Sequence, residues 1–520
     1  MSSSPTYMRL KGQKLVYAVT LSCSLGFLLF GYDLGYMGGL TTSSEFLKTF
    51  GNPNPTLLGF LVSSYELGAL FGAVFVFLLG DRYGRRPIKL MGAGVISTGA
   101  IIQCTSFGVG QFLAGRIIAG LGLGMMTSVI PIWLAECAAP KSRGRMIAMQ
   151  LSNLIMGLII ANWLDYGMAA YPSSIQWRFP CAFQIAFCIC VACLVPFLPE
   201  SPRYLAKTGD LGLAINNLAA LRGMHPDDPE LQQEMKDIEY IVEVEQREEG
   251  TWSDVFKDGG ISGSTRVLIA CVANALQQLT GSNVMSSFGP YIFQKSIGMT
   301  RHQALLVSGG LQVFFFVSSI IPWFIIDRVG RRRLFLFGST GLGLCMALSA
   351  VFVGVKGNKS LGYGAAVMLY LYQTCFTVGW MSNMWVYPSE LLPLKLRLRG
   401  AALSVVFQWL ATFLVVEIVP PMISSIGYKS YIVFAVINVA TIPIVYFFFV
   451  ETSKLPLEAV DLLFADRDGK RPSILQVVRD SKNKEYMAGI VSRLHQEAEP
   501  QVGYKSDLKE DVIFAEKVDI

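Results

Sequence analysis

Apolar residues run along this chain in blocks of about twenty, parted by short polar loops, which is the length a helix needs to cross a bilayer. Six blocks predict helices near 15–37, 57–79, 88–108, 111–135, 146–167 and 181–198, and six more near 265–290, 303–326, 334–354, 362–388, 400–423 and 430–450. Between the two groups, 199–264 is polar, and within it 231–249 places apolar residues at helical spacing, predicting a linker with short amphipathic helices. After 451 the chain turns polar again; 457–464 can form a turn or two of amphipathic helix, and the last forty or so residues have a disorder-like composition. The expected division is an N-terminal stretch 1–14, a first six-helix half 15–198, the linker 199–264, a second half 265–450 and a tail 451–520.

Composition agrees with a chain whose main solvent is lipid. Of 520 residues 52% are hydrophobic and 15% charged, with mean hydropathy +0.47, whereas a soluble domain carries about a quarter charged residues. The first block is too long for a signal-peptide core and no small-residue cleavage pattern follows it, so it reads as a retained helix. All ten cysteines lie in or beside apolar segments without a disulfide or metal-ligand spacing, and read as reduced packing residues.

The net charge of +6 matters less than its placement. Alternate loops hold Arg82, Arg85, Arg86 and Lys89; Lys141, Arg143 and Arg145; Arg328 and Arg331 to Arg333; and Lys395, Arg397 and Arg399, whereas loops of the other parity hold half as many cations. That asymmetry predicts arginine-rich loops, both termini and the linker on the cytoplasmic side. It reads as topology and not as nucleic-acid binding.

The two groups repeat each other. Gly80-Asp-Arg-Tyr-Gly-Arg-Arg-Pro87 follows the second block and Ile326-Asp-Arg-Val-Gly-Arg-Arg-Arg333 the eighth; Glu136 precedes Arg143 by seven residues, and Glu390 precedes Arg397 by seven. Duplicated halves joined by a polar linker point to a carrier whose halves rock about a site near the midplane.

Two charges sit where hydrocarbon makes them costly: Asp33 in the first block and Arg116 in the fourth, each in need of a partner. They read either as a fixed ion pair or as an acid whose protonation breaks the pair during turnover. Glu66, Asp165 and Glu417 also fall in or at the edge of blocks and read as structural. The three histidines, 225, 302 and 495, lie in loops or tail, so carboxylates are the candidates for proton transfer. Gly115, Gly120, Gly122 and Gly124 suggest close helix packing, since no strand or P-loop lysine accompanies them.

At these motifs, and at Phe30-Gly-Tyr-Asp33, Pro131-Ile-Trp-Leu-Ala-Glu136, Pro199-Glu-Ser-Pro-Arg203, Gln277-Gln278-Leu-Thr-Gly281 with Asn283, Glu451-Thr452 and Leu457-Glu458, the chain resembles the sugar porter family of the major facilitator superfamily. The likeness covers about 15–464, and 46–59 and 62–72 resemble filamentous-fungal members. It implies an all-α integral membrane protein with the major facilitator fold, twelve transmembrane helices in two six-helix halves and a cytoplasmic helical linker. It further implies a multi-pass protein of the plasma membrane that works as a monomer, without cofactor or metal.

In proton-coupled members the acid at Asp33 takes the proton and the arginine at Arg116 modulates it. A sugar offers hydroxyls that donate and accept, with apolar C–H faces, so its site calls for amides and flat aromatics. By the resemblance these are Gln150, Gln277, Gln278, Asn283, Trp385, Gln408 and Trp409. Ser287 and Phe288 replace a tyrosine pair common in relatives, Met381-Ser382 a Gly-Pro, and Phe315 an asparagine, which predicts altered hydroxyl recognition. Asp81, Arg85, Arg86, Glu136, Arg143, Glu200, Asp327, Arg331, Arg332, Glu390 and Arg397 are expected to form a cytoplasmic gate of interdomain salt bridges.

The leading expectation is import of a monosaccharide or related polyol by alternating access with a proton. A facilitative uniporter, a quinate or disaccharide carrier and a non-transporting sugar sensor are the alternatives. A membrane enzyme would need a nucleophile, metal cluster or cofactor motif within the bundle, and none stands out.

Overall fold

The computed structural model describes residues 7, 10–139, 143–248, 251–257, 262–355, 359–453, 455–466, 471–483, 486–490 and 492. Its elements are helical: α1 Gln13–Leu40, α2 Ser44–Thr49, α3 Pro55–Tyr83, α4 Arg85–Cys104, α5 Val109–Cys137, α6 Arg143–Met168 and α7 Ile175–Leu194 form the first group. The linker holds α8 Pro202–Thr208, α9 Leu211–Arg222, α10 Pro229–Glu248 and α11 Trp252–Phe256. The second group is α12 Gly263–Leu279, α13 Ser282–Lys295, α14 Arg301–Ser318, α15 Pro322–Val329, α16 Arg331–Gly354, α17 Lys359–Phe376, α18 Ser382–Leu391, α19 Arg397–Ile426 and α20 Lys429–Phe448, followed by α21 Leu457–Phe464 and α22 Ile474–Asp480.

Among the described residues, eight helices are long and apolar enough to cross a membrane: α1, α3, α4, α5, α7, α16, α19 and α20. Three other expected spans are interrupted where the sequence demands it. Gly281, at φ +94°, parts α12 from α13 three residues after Gln278. Pro322 opens α15 after a break at 319–321, because proline suits the first turn of a helix and not its interior. A π-helical turn, Thr377–Met381, joins α17 to α18.

Side chains that would be a liability in water face outward, including Leu78, Ile189, Leu344 and Val436; a bilayer is the solvent that makes such a surface stable. Inside, small residues bring backbones together. A methyl at Gly120 would lie 2.0 Å from the Tyr65 carbonyl oxygen, and one at Gly124 2.0 Å from that of Ala69, so α3 and α5 close on each other in a way alanine forbids. The same holds for α1 and α6 at Gly31 and Gly157. The expected packing role of the α5 glycines matches this geometry. All ten cysteines are free thiols.

Helices α1 and α3 to α7 pack on one another, as do α12 to α20, and the two groups meet along α3 with α19, α6 with α14 and α1 with α13. The linker helices α8, α9 and α10 share a small apolar core of Leu205, Ala214, Leu218, Leu231 and Met235. Helix α21 spans the residues expected; α22 was not anticipated, and it docks through buried Val477 and Val478 and packs on α20. The end of the tail, 493–520, lies outside the described residues.

Candidate functional site

A cavity of about 460 Å³ lies between the two groups. Its deep wall is made by Phe30 of α1, Asn274 and Gln277 of α12, Trp385 of α18, and Gln408 and Trp409 of α19; Asp81, Gly84, Arg85 and Trp252 lie at its other end. It therefore reaches the face of the arginine-rich loops and the linker.

On the opposite face the groups are in contact. Ser63 donates to Glu417 at 2.6 Å, Tyr166 and His302 are hydrogen-bonded at 2.8 Å, and Arg301 donates to Gln176 at 3.2 Å. A methyl at Gly59 would stand 2.4 Å from the Glu417 carbonyl oxygen, so α3 and α19 touch there backbone to backbone.

Of the seven residues expected to hold substrate, Gln277, Trp385, Gln408 and Trp409 line the cavity. Gln278 and Asn283 do not, but they are wired to it: Asn283 donates to Gln278 at 2.7 Å, and Gln278 donates to Gln277 at 3.0 Å. This relay occupies the Gln277 side-chain oxygen. Gln150 is buried away from the cavity with its side-chain oxygen unpartnered. Ser287, Phe288, Phe315 and Met381 do not line the cavity either, so the departures seen in sequence fall outside it in this conformation.

Aromatic rings from both groups meet over the cavity, with Trp385 edge-on to Phe27 at 5.8 Å and Trp409 tilted on Phe30 at 6.0 Å. Such a pair of flat faces suits the apolar side of a pyranose or polyol.

One turn past Phe30, Asp33 is 1% exposed and accepts a hydrogen bond from the Tyr65 hydroxyl. Arg116 lies with its guanidinium 4.4 Å above the Tyr65 ring centroid and donates to the Tyr36 hydroxyl at 2.9 Å and the Val62 carbonyl at 2.8 Å. The direct Asp33–Arg116 ion pair expected from sequence is not formed. Tyr65, delivered by α3, occupies the space and engages both residues, one through its hydroxyl and one through its ring.

The motif charges pair within each group. Arg85 holds Glu136 with two bonds of 3.1 and 3.2 Å and reaches Asp81 at 3.3 Å, and Asp81 also accepts from Lys207 at 2.7 Å. In the second group Arg331 donates to Glu390 at 3.0 Å. Glu200 accepts from the backbone N–H groups of Arg85 and Arg86 at 3.2 and 3.1 Å, and Glu451 accepts likewise from Arg331 and Arg332 at 2.9 and 3.2 Å. Each carboxylate thus caps the positive end of the helix that opens with the arginines. Gly84 (φ +86°) and Gly330 (φ +95°) make the turn that allows it, since a side chain at either would strike the capping glutamate.

Burial pushes Glu200 above the usual carboxylate range, against the pull of the Ser201, Arg86 and Arg85 amides. The Arg86 and Arg332 side chains donate to the carbonyls of Pro196 and Tyr446. Arg397 opens α19; the side chains of Arg143 and Asp327 lie outside the described residues.

Sequence reasoning overlooked Tyr65, Tyr36, Asn274 and Trp252, which nothing marks within apolar or linker segments. It also passed over the capping position of Glu451, although Glu-Ser at 200–201 and Glu-Thr at 451–452 are a third repeated signal.

The model of the family described as "Sugar (and other) transporter" matches residues 19–464. The chain belongs to this family. It is 34% identical over 485 residues to the sugar transporter STL1 of Saccharomyces cerevisiae, covering 90% of this chain and 85% of that one. It is 33% identical over 482 residues to the major facilitator superfamily transporter mfsA of Aspergillus fumigatus, covering 89% of each. Among solved structures, the xylose transporter XylE of E. coli in a partially occluded inward-open conformation superposes with a TM-score of 0.73 at 23% identity, over 85% of this chain and 100% of that chain. The chain is thus a membrane transporter of the major facilitator fold and not an enzyme.

Proposed function

We propose that the protein imports a monosaccharide or related polyol across the plasma membrane by alternating access, taking up a proton through Asp33. The observation that carries this reading is the position of one buried acid, Asp33, a helical turn from Phe30 in the wall of a cavity furnished with Gln277, Gln408, Trp385 and Trp409. Protonation at that depth can be felt by α1, which carries Phe27 and Phe30 against the two tryptophans of the other group.

In this reading the present conformation is the one open to the cytoplasm, with both termini and the linker on that side. The Arg85–Glu136 and Arg331–Glu390 clusters would be drawn together across the mouth when the outer contacts part, and the two halves would rock as bodies about the cavity. The Gln277 amide nitrogen, left without a protein acceptor by the relay through Gln278, would donate to a substrate hydroxyl.

The test is uptake of labelled hexoses, pentoses, polyols and quinate in transporter-deficient cells with external pH recorded, for the wild type and Asp33→Asn. Symport predicts substrate-induced external alkalinisation in the wild type and its loss in Asp33→Asn. Uptake indifferent to collapse of the proton gradient would show a uniporter instead, and binding without any uptake a sensor.

A further inference from the structure

Besides Asp33, the membrane region buries the acids Asp165 and Glu66 and half-buries Glu417. Asp165 accepts from the Gly39 amide at 3.2 Å, and Glu417 accepts from Ser63 at 2.6 Å. Glu66 is 1% exposed, and its Oε2 meets no donor. Yet it is not remote from charge. It follows Tyr65 directly in α3, and Val62, whose carbonyl Arg116 engages, lies one turn before it.

The charged groups that act on Glu66 are Arg116, from α5, and Asp33, from α1. The tyrosines of the cluster, Tyr65 and Tyr36, are committed to Asp33 and to Gln103 through their hydroxyls. Helix α19 packs along α3 and brings Glu417, which Ser63 engages.

The cluster therefore contains one guanidinium and two carboxylates. With both acids ionised it would carry a net negative charge on side chains buried at membrane depth, at a cost of several kcal/mol. One proton makes it neutral. Asp33 Oδ1 and Glu66 Oε2 both lack a donor, but Asp33 receives the Tyr65 hydroxyl on its other oxygen, which favours its ionised form, so the neutral acid belongs on Glu66. We propose that Glu66 is a second proton-binding carboxylate of this site, sharing with Asp33 a single proton balanced against Arg116. The proposal deepens the symport reading and rests on it for its role in transport. Transfer of the proton from Glu66 to Asp33 leaves the total charge unchanged and only exchanges which acid is ionised, so the pair titrates as a unit in two coupled steps.

The test is infrared difference spectroscopy of the full-length protein in lipid vesicles, following the carbonyl stretch of protonated carboxylic acids through a pH titration of wild type, E66Q and D33N. At neutral pH the wild type should show a protonated-acid band that E66Q lacks. The step absent from D33N, which marks Asp33, should move by about one pH unit or more in E66Q. The proposal is overturned if E66Q superimposes on the wild type at neutral pH, or if the Asp33 step stays in place. Should E66Q fail to fold, carbon-13 labelling of glutamate carboxyls in the wild type reads the same band, and absence of an isotope shift overturns the proposal. If uptake proves indifferent to the proton gradient while E66Q still loses its band, the symport reading falls and the second proton site stands.

Discussion

The hydroxyl of Tyr65 donates to the carboxylate of Asp33, and the same ring carries the guanidinium of Arg116 on its face. A single aromatic residue from α3 thus replaces the salt bridge that two opposite charges at membrane depth would suggest. Tyr65→Phe keeps the ring under Arg116 and removes only the donor. A hydrogen bond to a charged group is worth about 1.5–3 kcal/mol, or roughly tenfold and more, so this variant should lose about that factor in proton-coupled uptake at unchanged surface expression. Uptake and alkalinisation equal to wild type would refute a coupling role for Tyr65.

Gln277 lines the cavity while its side-chain oxygen is held by Gln278. Gln277→Ala removes a substrate donor and also frees Gln278, so apparent KM should rise about tenfold or more, with the maximal rate less affected. Asn283→Ala acts one step further back and should give a smaller rise. Measured saturation curves for the preferred substrate decide both.

The partly buried pair Arg85–Glu136 tests a different quantity, since breaking a fully buried pair costs up to about 3–5 kcal/mol whereas replacing both partners by apolar groups costs far less. Glu136→Ala and Arg85→Ala should each lower the unfolding temperature of the purified protein, and Arg85→Met with Glu136→Leu should recover most of the loss. Transport should not recover with it if the cluster also has to engage the opposite half during the cycle.

Trp252 of the linker is edge-on to Phe77 of α3 at 5.3 Å and lies under the Arg399 guanidinium at 5.9 Å, beside the Asp254–Lys395 ion pair of 3.4 Å. The Thr251 amide and hydroxyl, with Lys395, hold Asp254 below the usual carboxylate range. This contact should therefore persist at any pH above that range and loosen only on further acidification. Trp252→Ala should widen the cavity mouth, so that a cysteine placed at Ser404 reacts several-fold faster with a thiol reagent from the linker side. Equal labelling rates would show that the tryptophan does not restrict access.

Much of the fold was legible because hydrophobic length is a local property. The blocks at 15–37 and 430–450 announce α1 and α20 without reference to any other part of the chain. The interruptions were less legible. Gly281 and Pro322 are visible in sequence, but whether a glycine or proline breaks a membrane helix depends on which neighbouring groups take up the freed backbone atoms. The aromatic and amide candidates came from the resemblance, and Gln277, Trp385, Gln408 and Trp409 do line one cavity. Gln150 lies apart from it, because burial in a helix says nothing about which neighbour covers a side chain.

By itself, then, the sequence determined that this chain lives in a bilayer, that its charge motifs are duplicated and that acids and amides are placed in apolar helices. Those facts follow from the cost of exposing apolar groups to water and polar groups to lipid, which each segment meets alone. Tertiary structure decided the partners. That Tyr65 stands between Asp33 and Arg116, that Glu66 lies beside them with Oε2 lacking a donor, and that Glu451 caps Arg331 as Glu200 caps Arg85 depend on helix crossings. Close approach at glycines holds helices such as α3 and α5 at those crossings, and no periodicity along one helix encodes where its neighbour will touch.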